Sequence, residues 1–295
     1  MTKESPLAQR RRYPLGFFPT PLVKMARLSA ELGGPEILIK RDDQTGLALG
    51  GNKTRKLEYL VGEALSRGCD TLVSGGAAQS NHCRQTAAAA CAAGLGCHLA
   101  LGGEAPDLPE GNLLLDNLLG ANIHWGGPHR KGEEIPAIVG QLEAEGKKPY
   151  VVPYGGSNTT GAIGFVAAVG ELRSQLAHMQ QSVSHIVFAS SSGGTQAGLL
   201  AGAHLYGLSA KLIGIGIDKA DAGEEPFDEH VRNLATATIR RLGINHHFPS
   251  EAVILENAYL GGGYGVVGEL ERRAVTHTAR TEGILLDPVY TGRAM

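Results

Sequence analysis

Short apolar runs alternate with helix-length segments along most of this chain, and that alternation narrows the fold more than any other feature. Ile37–Ile39, Thr71–Val73, His98–Leu101, Asn122–His124, Tyr150–Val152, His185–Ala189, Leu212–Ile215 and Ile284–Leu286 read as strands. Strands separated by helices build β-α-β units, because a parallel neighbour is reached only through a crossover long enough to hold a helix. The pattern therefore predicts an α/β protein with open, mostly parallel sheets. With 295 residues, 42% of them hydrophobic, the chain has the material for a sizeable core and needs no disulfide or metal staple. Its 42 glycines suit turn-rich alternating structure and speak against a coiled coil.

Charge and cysteine usage exclude several function classes. A formal net charge of -2 leaves no electrostatic footprint for nucleic acid or an anionic membrane. Arg10-Arg11-Arg12 is the one basic run, expected to form a solvated N-terminal arm. Cys69, Cys83, Cys91 and Cys97 form no C-x-x-C pair, which points to reduced thiols and a cytoplasmic protein. No uninterrupted apolar run approaches the roughly 18 residues of a membrane span, and the N-terminus lacks a signal-peptide pattern. The eleven histidines include the pair His246-His247 but show no metal-ligand spacing, so no metal site is expected, and no G-x-S-x-G elbow suggests a hydrolase.

Two segments carry chemistry. In Gly50-Gly51-Asn52-Lys53-Thr54-Arg55-Lys56, a glycine turn delivers Lys53 to the mouth of a helix over about 54–67, where Leu57, Leu60, Val61, Ala64 and Leu65 recur at helical spacing and predict an amphipathic element. Lys56 shares the face of Lys53. The positive helix end, the second cation and burial all favour a neutral amine at Lys53, the form that attacks an aldehyde. The second segment, Ser190 through Thr195, follows an apolar run and opens a helix, so its backbone N–H groups suit a phosphate. Ser192, Gly193, Gly194 and Thr195 are the expected donors. It lacks the Lys-Ser/Thr of a P-loop and the spacing of a dinucleotide fingerprint. A third segment, Gln79-Ser80-Asn81-His82, precedes an alanine-rich helix and suits a carboxylate at its start, although Ser80 or Asn81 could equally be a helix cap.

Taken in series with Pro19-Thr20-Pro21-Leu22, Lys40-Arg41-Asp42-Asp43, Gly193-Gly194-Thr195-Gln196 and Asp287-Pro288-Val289-Tyr290, these segments resemble the family of 1-aminocyclopropane-1-carboxylate deaminases and D-cysteine desulfhydrases over nearly the whole chain. The resemblance implies a pyridoxal-phosphate enzyme of fold type II, tryptophan-synthase-β-like. A large cofactor-binding domain is expected at 1–56 plus 166–295 and a small one at 57–165, with the cofactor in the cleft and a homodimer as assembly. Glycine-rich 155–161 is the main expected breakpoint. By position in the motifs, Lys53 is the Schiff-base lysine and base, Lys56 reaches the phosphate, and Asn81 contacts the cofactor ring oxygen. Gln79, Ser80, Asn81, His82 and Tyr290 bind a small amino-acid substrate, and Ser80, Tyr264 and Tyr290 join Lys53 as catalytic residues.

Thr291 bears on the reaction. The deaminases carry glutamate there, beside the ring nitrogen, and threonine cannot hold that nitrogen protonated. A weaker electron sink favours a substrate with a good leaving group at Cβ. The resemblance therefore implies β-elimination, with D-cysteine giving pyruvate, ammonia and sulfide. L-cysteate sulfo-lyase and 1-aminocyclopropane-1-carboxylate deaminase are the alternatives on the same machinery. A different expectation comes from the end of the chain at Arg293-Ala294-Met295, short of the usual family length: an impaired cofactor-binding protein.

Overall fold

The structure, a computed structural model, describes residues 6–218 and 225–295. In chain order the strands are β1 (Leu22–Lys24), β2 (Leu38–Lys40), β3 (Thr71–Ala77), β4 (Gly96–Gly102), β5 (Asn122–Trp125), β6 (Pro149–Val151), β7 (His185–Ser190), β8 (Lys211–Gly216) and β9 (Ile254–Glu256). The helices are α1 (Ala26–Leu32), α2 (Lys53–Ser66), α3 (Asn81–Ala92), α4 (Gly111–Leu118), α5 (Ile135–Ala144), α6 (Thr159–His178), α7 (Gly194–Tyr206), α8 (Phe227–Arg241), α9 (Glu269–Glu282) and α10 (Thr291–Ala294).

One compact unit comprises residues 1–20 and 42–165. Its sheet runs β5-β4-β3-β6 with every pair parallel, Thr71 of β3 opposite Gly96 of β4 and Ala77 opposite Gly102. Leu72, Leu99 and Leu101 pack with Leu57, Leu60 and Ala87 of α2 and α3. Val73 and Ala100 pack with Ile135, Ile138 and Leu142 of α5. Burial on both faces is why these strands read as continuous apolar runs.

Helix α2 departs from the amphipathic expectation, because every residue from Thr54 to Gly62 is buried. The segment before it supplies the cover. Glu58 accepts backbone hydrogen bonds from Leu15 and Gly16 at 2.8 and 3.2 Å and pairs with Arg12 at 2.6 Å, while Tyr13 N–H donates to the Glu58 carbonyl. The basic run is thus fastened to α2 through the Arg12 side chain and through the backbone of the residues that follow it, Tyr13, Leu15 and Gly16.

The second unit comprises residues 21–41 and 166–295. It holds the parallel sheet β7-β8-β9 and the antiparallel pair β1-β2. Ile284–Leu286 forms no strand. Ile284, 7% exposed, joins Met25 and Leu28 in a small cluster that Leu286 flanks, whereas Leu285 is 81% exposed. Lys40 of β2 pairs with Glu171 of α6 and donates to Gln175 at 2.6 Å.

Contacts thus divide the chain differently from the expected 1–56 plus 166–295. Residues 1–20 and 42–56 pack with 57–165, since a boundary at 56 would cut through α2 and strip Glu58 of its partners, and the later boundary falls within α6. Gly155–Gly161 lies inside the first unit. Among the described residues no helix is long and apolar enough to cross a membrane.

Candidate active site

Lys53 is the first residue of α2, and the turn before it is built for close approach. Gly50 has φ 74°, and a Cβ there would lie 1.9 Å from the Asp43 carbonyl oxygen. At Gly51, φ 131°, a Cβ would lie 2.4 Å from Gln85 Nε2. Only glycine fits either place. Asn52 makes no side-chain cap; Gln85 of α3 caps instead, its Oε1 accepting from Thr54 N–H at 2.9 Å. Asp42, from the Lys40–Asp43 motif, grips Arg55 with both oxygens at 2.7 Å.

The two lysine amines converge on one carbonyl. Lys53 Nζ donates to Gly155 O at 3.2 Å, and Lys56 Nζ donates to the same oxygen at 3.0 Å and to Ser157 Oγ at 3.2 Å. Burial lowers the Lys53 pKa to about 8. Burial, then the neighbouring Lys53 charge, lowers Lys56 well below the usual lysine range. Both shifts run in the direction that favours the neutral amine, and their main cause is desolvation. Gly155 belongs to the stretch that reads as a linker, and nothing in its residue type marks it as an acceptor.

The Gln79–His82 segment leads into α3. Ser80 is the N-cap, its Oγ accepting from Cys83 N–H at 3.2 Å. Gln79 spends both ends of its side chain on the start of α4, donating to Glu110 O at 3.1 Å and accepting from Asn112 N–H at 2.8 Å. Asn81 Oδ1 accepts from Arg84 at 3.2 Å and from Asn112 Nδ2 at 2.8 Å. Guanidinium only donates, so the Asn81 oxygen must face Arg84, and its NH₂ is left to meet an oxygen elsewhere. Buried Arg84 also donates to Gly50 O at 2.7 Å, tying the Lys53 turn to α3, a role that its place in a helical alanine-rich run does not announce. His82 is buried, its Nε2 2.8 Å from Ser74 Oγ.

In the second unit, β7 ends at buried Ser190, whose Oγ donates to Gln196 Oε1 at 2.8 Å and so draws the intervening loop tight. Gly193, at φ 78°, is the N-cap of α7 and offers no capping side chain of its own. Ser192, Gly193, Gly194 and Thr195 are therefore gathered at the positive end of a 13-residue helix. Elsewhere in this unit the hydroxyls of Tyr264 and Tyr290 lie 3.1 Å apart with rings edge to face. Arg293 holds the Tyr264 loop, donating to Gly263 O and Val266 O at 3.2 and 3.1 Å while paired with buried Glu271. The Thr291 hydroxyl donates to Asp287 Oδ1 at 2.7 Å and accepts from Asp287 N–H at 2.9 Å, so its proton is committed.

A partly buried amine of lowered pKa, a glycine turn at a helix mouth and an oriented amide donor fit an aldehyde-bearing phosphate ester. The comparisons with known proteins agree. The family model for pyridoxal-phosphate dependent enzymes matches residues 13–295, and the chain belongs to that family. D-cysteine desulfhydrase of Yersinia enterocolitica is 43% identical, over 100% of this chain and 89% of its own length. A Pyrococcus abyssi protein provisionally named 1-aminocyclopropane-1-carboxylate deaminase is 40% identical over 93% of this chain and 82% of its own. Among solved structures, an ACC deaminase homologue superposes with a TM-score of 0.89 at 36% identity, covering 98% of this chain and 86% of that one. The fold is type II of the pyridoxal-phosphate enzymes, and the protein is an enzyme that uses this cofactor.

Proposed function

We propose that this enzyme converts D-cysteine and water into pyruvate, ammonia and hydrogen sulfide by β-elimination. When bonded to the substrate amine, pyridoxal phosphate withdraws electrons from Cα, which makes its proton removable and lets a group at Cβ depart. The residues of the chain do the rest. Lys53, neutral in appreciable fraction near pH 8, would hold the cofactor aldehyde and would accept the Cα proton on Nζ. By the family resemblance, Lys56 and the Ser192–Thr195 loop would hold the phosphate, and the Asn81 NH₂ would meet the ring oxygen. Ser80 and the start of α3 receive the substrate carboxylate, with Gln79 bracing that segment against α4. The paired phenols of Tyr264 and Tyr290 protonate the departing sulfur.

The observation that carries the choice of reaction is Thr291. Its only proton is held by Asp287, so it donates nothing to a ring nitrogen, and elimination of a good leaving group asks least of the ring. The relatives named D-cysteine desulfhydrase support the same reading. The four free thiols support a reducing, cytoplasmic setting, and the family resemblance supports a homodimer. Parallel assays on D-cysteine, L-cysteate and 1-aminocyclopropane-1-carboxylate separate the readings by product. Sulfide as the dominant product supports elimination from D-cysteine; sulfite or 2-oxobutanoate formed faster would replace it. Lys56→Ala should retain the cofactor at least tenfold less tightly in a fluorescence titration.

A further inference from the structure

Asn112 of α4 is bonded to three residues of the segment that leads into α3 and of α3 itself. Its backbone N–H donates to Gln79 Oε1 at 2.8 Å. Its side-chain Nδ2 donates to Gln79 O and to Asn81 Oδ1, both at 2.8 Å, and its Oδ1 accepts from Arg84 at 2.9 Å. Which end of this amide is which follows from its partners. A guanidinium carries only donors, so the Asn112 oxygen must face Arg84. The Gln79 main-chain carbonyl can only accept, so the Asn112 NH₂ must face Gln79. Two independent partners demand the same orientation, and both amide hydrogens are then committed.

That orientation is passed to Asn81. Its Oδ1 receives one hydrogen from Asn112 and another from Arg84, so turning the Asn81 amide over would set its NH₂ against two donors. Asn81 Nδ2 makes no hydrogen bond among the described residues, and Asn81 is tied to the Lys53 helix: its carbonyl accepts from Gln85 Nε2 at 3.2 Å, and Gln85 Oε1 accepts from the N–H of Thr54, the residue after Lys53, at 2.9 Å. We infer that Asn112 is a positioning residue for cofactor recognition: together with Arg84 it holds the Asn81 amide in one orientation, so that the site presents a fixed N–H donor to an oxygen on the cofactor ring. The ring-oxygen half rests on the reading of Asn81 given above; the amide orientation does not.

Asn112→Asp tests this sharply, because it keeps the shape and an acceptor for Arg84 but turns two donors into acceptors, driving Asn81 to turn over and show its oxygen to the site. Asn112→Ala removes the constraint without reversing it. Fluorescence titration of the cofactor-free protein with pyridoxal phosphate should show affinity about tenfold weaker in Asn112→Asp and about threefold weaker in Asn112→Ala, the scale of one hydrogen bond. Absorption of the bound cofactor should shift in Asn112→Asp as it does in Asn81→Asp. If Asn81→Asp alters affinity and absorption while both Asn112 variants only lower the melting temperature, the positioning role is overturned. Unaltered affinity and absorption in Asn81→Asp itself would overturn the ring-oxygen reading instead. The amide orientation is tested separately, by solvent exchange of side-chain amides in NMR of the cofactor-free protein. The Asn112 NH₂ protons, identified by their loss in Asn112→Asp, should exchange about tenfold more slowly than those of Asn81. Faster exchange at Asn112 would overturn the orientation.

Discussion

Lys53 and Lys56 place their amines on one acceptor, the carbonyl oxygen of Gly155, at 3.2 and 3.0 Å. Two lone pairs accommodate two donors, and the shared carbonyl replaces part of the water that both amines lose. It does not replace all of it, and the Lys53 pKa falls from 10.5 to about 8.

Reactivity of Lys53 should follow that titration. The neutral amine grows as pH rises, so the rate at which pyridoxal phosphate bonds to cofactor-free protein should climb through a midpoint near pH 8. At pH 7 it should exceed that of an ordinary lysine roughly 300-fold. Stopped-flow absorbance measures the rate, with Lys53→Ala as the blank. A midpoint near 10.5 would mean that the amine is fully hydrated.

Arg84 reaches Gly50 O, Asn81 Oδ1 and Asn112 Oδ1 with its planar fork, at 2.7, 3.2 and 2.9 Å. A lysine ammonium cannot span three acceptors in those directions. Arg84→Lys should lower stability by about 2–4 kcal/mol, because buried acceptors lose their donor. It should also lower kcat/KM more than tenfold and alter the absorption of the bound cofactor, since Asn81 is freed to flip. Exposed Arg67→Lys should change none of these. Thermal melts with spectra of the loaded protein check both, and an unaltered cofactor spectrum would reduce Arg84 to a structural brace.

The Tyr264 and Tyr290 hydroxyls, 3.1 Å apart, act as a pair in the proposed proton delivery. Tyr264→Phe and Tyr290→Phe should each reduce kcat for sulfide release by at least tenfold, and the double variant should be little worse than either single one. Near-full turnover in both single variants would remove the phenols from the chemistry.

Arg293 and Glu271 form a buried pair whose nitrogen and oxygen lie 2.8 Å apart. Removing one partner leaves an uncompensated charge in the interior, so Arg293→Met should cost about 3–5 kcal/mol in denaturant unfolding. It should also loosen the loop through Gly263 and Val266 that carries Tyr264. A change below about 1 kcal/mol would show that the pair is hydrated.

The alternation of apolar runs made the parallel sheets legible, since strands buried on both faces leave that signature. The strands β1 and β9 were missed, although β2 and β6, equally short, were read from their apolar runs. Ile284–Leu286 misled in the opposite sense: its apolar residues serve a side-chain cluster with Met25 and Leu28, not a sheet. Lys53 stood out through the glycine turn before it. Its acceptor did not, because Gly155 is 102 positions away and contributes only backbone. Arg84 and Asn112 were hidden likewise, acting through neighbours and not on a ligand.

Sulfide release from D-cysteine, with L-cysteine in parallel and Lys53→Ala as control, tests the account most directly. It predicts rapid release from the D enantiomer, little from the L, and none above background from the Lys53→Ala protein. Release from L-cysteine alone, or undiminished release without Lys53, would contradict it.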